Sequence, residues 1–470
     1  MASRLTHRLT HRLAAITCVA LLATTLPERS LAQARPTQIG AAPLANSAQR
    51  VFADPLTLGV ALEIALTTHP DLRVAGADLA VARADSAFAR VPPFNPQLEL
   101  SAARGGQSLG SGSEGTLEVG VSQELELWGK RGTRQSVATS RSLTSAAAWR
   151  AKAQEIESEV RARFERALFL QDRLALADEL ADLDRRVVLA TQARVRDGSI
   201  TPVTGRLTEL DLLRLEAQSR RVRSDLRQAL VALGLAMGRA LADPTRLSGE
   251  PHADSLLAPE DSVVAIALRA RGTGEVLSRQ IAERQAELQL AEREARPNLT
   301  LGLGLTRERR SFSGDDFTGD PAIVGGITGV RSTDNLWTAR ISAPLPLWQK
   351  NQAGRARATA EIVRSQTEYD RYRLRTHMEV LGAVRRFEDA TGLYFIYLER
   401  STRVRQDLVL IHEAYADSRI SLDSYLTQKG RLVDTLLGQL EAGDAYWDAR
   451  GQLEAAVGLD LAHLNAGGAR

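Results

Sequence analysis

The sequence predicts a mainly α-helical protein with a small β part, built as two copies of one unit. The first observation is the stretch Thr133–Asp197, which lacks Gly and Pro and has apolar residues at steps of three or four. The second is a similar Pro-free stretch, Arg355–Asp417. Each would form a helix of roughly 90–100 Å, and such helices must pack against others. The third is repetition, because Leu127–Lys130 corresponds to Leu347–Lys350, 220 residues later.

The first 34 residues have the features of a secretory signal peptide. Three arginines precede an apolar stretch, Leu13–Leu26, and a small-x-small site that ends at Ala34. We therefore predict export and cleavage after Ala34. The only cysteine, Cys18, lies in the apolar stretch, so the mature chain would contain no thiol and therefore no disulfide or zinc–cysteine site. Residues 35–55 are expected to form an extended segment.

The first repeat, residues 56–240, is predicted to run helix, strand, strand, long helix, return helix. Pro92 and Pro93 end the first helix, and Gly198 with Pro202 marks a tight reversal between the last two. A segment with several Pro and Gly residues, 241–260, connects this repeat to the next. The predicted elements are a helix from Thr57 to about Val91, strands Gln97–Ala103 and Thr116–Leu125, and helices Thr133–Asp197 and Val203–Met237.

The second repeat, residues 261–458, follows the same order, and a short tail, 459–470, ends the chain. Its tip, Ser418–Ile420, corresponds to Gly198–Ile200 at the same offset of 220. A long loop, Ser311–Asp334, is expected between its strands. The predicted elements are a helix Asp261–Ala295, a strand Leu299–Leu305, a returning strand around Trp337–Ile341, and helices Arg355–Asp417 and Leu422–Val457.

Each predicted strand has one apolar and one polar face. A small soluble sheet with one face on a core would alternate in the same way. Export, the length of the strands and the absence of any segment to cover the leucine faces favour a bilayer instead. Because four strands cannot close a barrel in lipid, several chains would have to share one. The tryptophans in or beside the strands, where an interfacial belt would lie, are Trp128, Trp337 and Trp348.

Several of these features together resemble the TolC-type outer-membrane factor family. They are Leu56-Thr57-Leu58 at the first helix, Asn95-Pro96 before the first strand, the repeated strand-to-helix junction and the two tips. The run Gln123–Gly132 is similar to the junction in the heavy-metal cation efflux (CzcC-like) branch, which usually has a second Gly where Trp128 stands. The resemblance covers nearly all of the mature chain.

The resemblance implies a homotrimer in which long helical hairpins form a periplasmic α-barrel and four strands per chain form a shared 12-stranded β-barrel. The protein would lie in the outer membrane, among outer-membrane lipid, and extend into the periplasm. It would act as the passive exit duct of a tripartite efflux pump, with a periplasmic adaptor (membrane fusion protein) and an inner-membrane pump as partners. In this family the tips dock the adaptor and close the pore.

The resemblance therefore assigns the docking role to residues at the two tips. In the first tip these are Gly198, Ser199, Ile200 and Thr201, and in the second Arg419, Ile420, Ser421 and Leu422. An αα-turn with ordinary capping residues would have the same composition. A further hypothesis is an acidic constriction formed around the channel axis, which would attract cations. Its candidates are Asp197, Asp417 and Asp423.

No other pattern indicates chemistry. Histidines lack the spacing of metal ligands, no Gly-rich phosphate loop follows a strand, and no catalytic, cofactor or metal residues are predicted. The formal charge of +3, with both signs mixed along the helices, indicates no nucleic-acid partner. Alternatives are the duct of a type I protein secretion system and a soluble periplasmic coiled-coil scaffold or adaptor. Metal cations, drugs and polypeptides all remain open as cargo.

Overall fold

The protein is described from a computed structural model. The description covers residues 55–106, 113–242, 245–249, 252–312, 330–417 and 419–467. Arg50–Arg470 form one compact unit, and all described residues belong to it. The signal peptide with its cleavage site at Ala34, nearly all of the 35–55 segment, and Ser418 lie outside the described residues.

The unit is mainly helical, as predicted, and contains one larger sheet. In chain order the strands are β1 (Leu56–Thr57), β2 (Gln97–Gly106), β3 (Ser113–Leu125), β4 (Leu247–Ser248), β5 (Leu299–Phe312) and β6 (Val330–Ser342). The helices are α1 (Leu58–Thr68), α2 (Pro70–Phe88), α3 (Lys130–Arg196), α4 (Pro202–Ala236), α5 (Glu260–Ala270), α6 (Gly272–Glu294), α7 (Gln352–Ala416), α8 (Leu422–Val457) and α9 (Leu461–Gly467).

The larger sheet is antiparallel throughout, in the order β2, β3, β5, β6. Val119 lies between Leu100 and Leu305, and Leu305 pairs in turn with Trp337. Because side chains alternate along a strand, these residues share one face, which we call the apolar face. The polar face carries Glu, Ser, Thr and Gly. The residues Leu98, Leu100, Val121, Leu303, Trp337 and Ile341 of the apolar face are each at least half exposed in the single chain.

The two long hairpins pack through aliphatic and aromatic side chains. In the first repeat, Val160 and Phe164 of α3 pack against Leu233 of α4 and residues of α1. In the second, Phe387 of α7 packs against Tyr446 of α8 with a ring separation of 5.4 Å. A third cluster joins the repeats, and it contains Leu176 and Leu180 of α3, Leu215 of α4, Leu408 of α7, and Val433, Leu436 and Leu440 of α8.

Two predicted helices are each broken by one residue in an extended conformation. His69 has ψ 127° and separates α1 from α2, because the residue before a proline disfavours the helical region. Arg271 has ψ 119° and separates α5 from α6. At this break Gly272 donates its amide to Gln154 of α3 at 2.8 Å, and a Cβ on Gly272 would lie 2.7 Å from Ala151. The break therefore lets the chain approach α3 closely.

The strands of the second repeat are longer than predicted. β5 continues to Phe312 and β6 begins at Val330, so both ends of the predicted Ser311–Asp334 loop belong to strands. Alternating Arg, Glu and Ser residues conceal these ends because they lack an apolar face. The 241–260 connector contains β4, which pairs in parallel with β1. The predicted tail contains α9, whose Leu461 and Leu464 are buried.

Within the described ranges, no helix combines the length and the hydropathy that a membrane-spanning helix requires.

Candidate functional site

The first tip, Asp197–Thr201, joins α3 to α4 through a left-handed glycine. Gly198 has φ +69°, which a side chain would strain although the space around it is open. The amides of Ser199 and Ile200 both donate to the carbonyl oxygen of Arg194, at 2.9 and 3.3 Å. These bonds satisfy a carbonyl that the end of the helix leaves free, so the turn is tightly closed.

The second tip joins α7 to α8 and is described at Asp417 and Arg419–Ser421. The Asp417 carboxylate forms an ion pair with the Arg419 guanidinium. The Arg419 amide donates to the carbonyl oxygen of Ala414 at 2.8 Å. Ser421 is the N-cap of α8, and its hydroxyl accepts from the Ser424 amide at 3.3 Å. Hydrogen bonds within the described residues therefore close the first tip and cap the start of α8 at the second.

The structure brings the two tips together. The Arg194 guanidinium of α3 donates to the carbonyl oxygens of Tyr415 and Ala416 of α7, at 3.0 and 3.1 Å. The hydroxyls of Thr191 and Tyr415 are 2.9 Å apart, and both residues are buried. The sequence did not indicate this contact, because it joins residues more than 220 positions apart.

The tip residues differ in exposure, and one predicted docking residue is corrected. Gly198, Ser199, Thr201, Arg419 and Ser421 are exposed, and Ile200 and Ile420 are partly buried. Leu422 is buried in a cluster with Val187, Tyr415 and Tyr425. Its side chain packs between the hairpins because it begins the apolar stripe of α8. It therefore cannot form part of a docking surface.

The three aspartates of the proposed constriction are all exposed. Asp417 is paired with Arg419, whereas Asp197 and Asp423 have no ion pair among the described residues. Asp423 lies in the first turn of α8, where the helix dipole stabilises a negative charge. Two unneutralised carboxylates per chain therefore remain at the tips.

A buried ion cluster lies behind the tips, and sequence reasoning missed it. The Lys429 Nζ is 2.5 Å from an oxygen of Asp184 and 2.9 Å from an oxygen of Asp211. Lys429 and Asp184 are 6% and 3% exposed, so this charge pair is held away from water. Burial raises the pKa of Asp184, and Lys429 opposes that shift. The cluster ties α8 to both α3 and α4.

A signal for this cluster was present in α8. Tyr425, Lys429, Val433 and Leu436 follow a helical stripe of otherwise uncharged, buried positions, so a lysine there requires a buried counter-charge. The identity of the counter-charge, 245 residues away, was not readable from the sequence.

The comparison with protein families identifies this architecture. Residues 61–239 match the family described as "Outer membrane efflux protein". Over these residues, which make up less than half of the chain, the sequence is similar to this family of outer membrane efflux proteins. The matched family and the fold are those of channel proteins, and they place the chain in the outer membrane, extending into the periplasm.

Individual relatives agree with this assignment. The efflux protein is 26% identical over 331 residues to the cobalt-zinc-cadmium resistance protein CzcC of Cupriavidus metallidurans, covering 68% of this chain and 70% of the relative. Its fold is similar to that of CusC, with a TM-score of 0.64, 17% identity, and 86% and 92% of the two chains covered. It is also similar to the Campylobacter jejuni CmeC outer membrane channel, with a TM-score of 0.63, 15% identity, and 85% of each chain covered.

The junction between sheet and helices in this efflux protein is fixed by contacts between the repeats. Trp128 has φ +63° and donates its indole N–H to the carbonyl oxygen of Pro297 at 2.9 Å. The Lys130 ammonium donates to Asn298 at 2.6 Å. These bonds hold the start of α3 against the residues that lead into β5.

The three predicted belt tryptophans do not all lie at one level. Trp128 and Trp348 lie at the helix end of the sheet, and Trp348 is 83% exposed. Trp337 is 79% exposed but lies five residues inside the end of β6. At a rise of roughly 3.3 Å per residue, it sits about 16 Å from that end, on the apolar face. The other two lie beyond the strand ends, because β3 ends at Leu125 and β6 at Ser342.

A second buried ion cluster lies at the centre of the helical part of the efflux protein. The Arg450 Nε is 3.3 Å from an oxygen of Glu165 and 3.1 Å from one of Glu454. Burial, together with the nearby Glu454, raises the pKa of Glu165 to about 7, although Arg450 opposes the shift. One arginine therefore holds two carboxylates, and Glu165 gains a proton near neutral pH.

This cluster predicts a pH dependence of stability. Because the folded-state pKa of Glu165 exceeds its ordinary value of 4.5, protonation stabilises the folded state below that pH, and this contribution is lost as the pH rises through about 7. The substitution Glu165→Gln should abolish this loss of stability. The measurement is the denaturation midpoint of the protein in detergent, followed as the pH rises from 4.5 to above about 7. Glu159→Gln, at an exposed position of the same helix, is the control. An unchanged pH profile in Glu165→Gln would contradict the prediction.

In the part of the chain that the structure describes, no three His, Cys, Asp or Glu side chains are grouped so that they could hold a metal ion.

Proposed function

We propose that this efflux protein forms a homotrimeric exit duct of a tripartite pump, in which three four-stranded sheets close one 12-stranded barrel. The observation that carries the proposal is the sheet itself. Its apolar face is exposed, and its polar face carries Glu99, Glu118 and Arg340, with Arg340 nitrogens 3.9 and 3.8 Å from the two carboxylates. Such a sheet suits a wall between lipid and a water-filled lumen.

The open edges of the sheet support a shared barrel. Among the described residues, β2 and β6 each pair with a single neighbouring strand. Unpaired backbone groups in lipid cost several kcal/mol each, so the edges must pair with other copies. The four strands per chain and the fold shared with outer-membrane channels support three copies.

The tips are the proposed docking surface for a periplasmic adaptor, which connects the duct to an inner-membrane pump. Their exposed residues are Gly198, Ser199, Thr201, Arg419 and Ser421. Short side chains at most of these positions allow a partner helix to approach the backbone closely. The turns need no rearrangement to present this surface, because their own hydrogen bonds are already made.

Divalent metal cations are the proposed cargo. The similarity to a cobalt-zinc-cadmium resistance protein supports this, as do the unneutralised Asp197 and Asp423 at the tips. A duct has no need of a closed metal site, since cargo must leave as readily as it enters.

Deleting the gene should make cells sensitive to cobalt, zinc and cadmium but not to dyes. The wild-type gene should restore resistance, and so should Ser199→Ala. Ser199→Trp should not, because a large side chain at the exposed tip blocks adaptor docking without disturbing a core. Sensitivity to dyes alone would identify a drug duct. Unchanged tolerance of both would contradict efflux, and full resistance with Ser199→Trp would contradict docking at the tip.

A further inference from the structure

Arginines occupy the apolar face of the sheet at the end where β2 and β5 end and β3 and β6 begin. Arg104 pairs in register with Gly115, which pairs with Arg309, and Arg307 lies one row below. Arg331 of β6 lies one row above, opposite Ser311. Alternation along each strand puts all of them on the same side as the leucines. We call Arg104, Arg307, Arg309 and Arg331 the outward arginine cluster.

Arginines on the two faces of the sheet differ in whether they form ion pairs. On the polar face Arg310 lies 3.0 Å from Glu308 and 3.7 Å from Glu114, and Arg340 pairs with Glu99 and Glu118. The outward arginine cluster is exposed and forms no ion pair with any described residue. Four guanidinium groups therefore lie on one surface, and no carboxylate of the described residues forms an ion pair with them.

The surface also has room for a ligand between two of these groups. Arg104 and Arg309 are separated by one strand, so their backbones lie roughly 10 Å apart. The position between them is Gly115, around which a Cβ would meet nothing within 4 Å. Guanidinium groups bind phosphate through paired hydrogen bonds, and a gap of this width accommodates one phosphate between two of them.

The position of the cluster in the membrane identifies the partner. The helices leave the sheet at the opposite end and extend into the periplasm, so the cluster lies at the outer leaflet. The leucines and valines below it, such as Leu117 and Val119, would lie among the acyl chains. Arginine is poorly tolerated at the centre of a bilayer and well tolerated at headgroup depth.

We propose that the outward arginine cluster binds the phosphate groups of an anionic lipid in the outer leaflet. The inference rests on the proposed function, in which this face of the sheet contacts lipid. Charge complementarity favours an anionic, phosphorylated headgroup. A zwitterionic headgroup would also bring its cationic group close to the guanidinium groups, which repel it. Binding would anchor the barrel at a fixed depth.

The test is lipid binding by the purified full-length mature protein, measured by native mass spectrometry with bis-phosphorylated lipid A and with phosphatidylethanolamine as probes. The wild type should bind lipid A preferentially. Arg307→Gln/Arg309→Gln should weaken lipid A binding roughly 25-fold, at about fivefold per guanidinium near an anionic surface. Arg310→Gln, on the same strand but on the polar face, is the matched control and should leave binding unchanged.

Two results would overturn the proposal: a wild type that binds both lipids equally, and a loss of lipid A binding in Arg310→Gln as large as in the double variant. Conductance of the same preparations in planar bilayers separates this question from the duct itself. The double variant should conduct like the wild type, whereas a wild type without conductance contradicts the proposed function and not the lipid contact.

Discussion

Replacing Lys429 by methionine should lower the free energy of unfolding by about 3–5 kcal/mol, which is the usual cost of leaving one partner of a buried ion pair without its counter-charge. Asp184 is 3% exposed and would lose the ammonium 2.5 Å away. Methionine preserves the volume of the side chain, so the loss is electrostatic. The measurement is chemical denaturation of the protein in detergent, followed by circular dichroism.

Two variants test whether the buried charge is the cause. Asp184→Leu/Lys429→Met removes both buried charges and should recover most of the lost stability. Arg214→Gln breaks an ion pair with Asp434 that also joins α4 to α8, but both of its side chains are more than 60% exposed. It should cost less than about 1 kcal/mol. Equal losses in Lys429→Met and Arg214→Gln would show that the cluster contributes no more than a surface pair.

Neutralising the tip aspartates should remove most of the cation preference of the channel. Asp197 and Asp423 are exposed and unpaired among the described residues, so in a trimer each would contribute three negative charges near the axis. The double substitution Asp197→Asn/Asp423→Asn should shift the cation-to-anion permeability ratio severalfold toward one, measured from reversal potentials. The shift should shrink in about 1 M salt, where the Debye length falls to roughly 3 Å.

The direction of this electrostatic effect can be tested by removing a positive charge from the second tip. Arg419→Gln removes the positive charge that is paired with Asp417 and should raise the cation preference. Asp434→Asn removes one negative charge, as each tip substitution does, but from an exposed position of α8 away from the tip. It should therefore have little effect on the cation preference. A cation preference unchanged by both tip variants would contradict a constriction at the tips.

The long elements were predictable because helical periodicity without Gly or Pro is a local signal. The return helix Leu422–Val457 has the predicted bounds, and each long helix ends one residue before the predicted aspartate, which is its C-cap. The sheet faces followed from alternation. The arginine-rich end of β5 was missed because the same alternation there separates charges rather than apolar from polar residues.

The contacts of the candidate site were not predictable, because they join distant parts of the chain. Lys429 could be recognised as a charged residue in an otherwise apolar helical stripe, but its partner Asp184 could not be identified from the sequence. The two junctions also match in sequence at an offset of 220 residues, but their backbone conformations differ. The first has left-handed residues at Trp128 and Gly129, whereas the second has one at Asn351. Similar residues at the two junctions therefore adopt different backbone conformations, because the two repeats contact different neighbouring residues.

The central claim, that the chain forms a membrane duct, is tested most directly by planar-bilayer conductance of the purified mature protein. We predict discrete conductance steps with a preference for cations, from a preparation whose mass in detergent is that of a trimer. A protein that remains monomeric and produces no steps would contradict the shared barrel, and the hairpins would then have to serve a role other than transport.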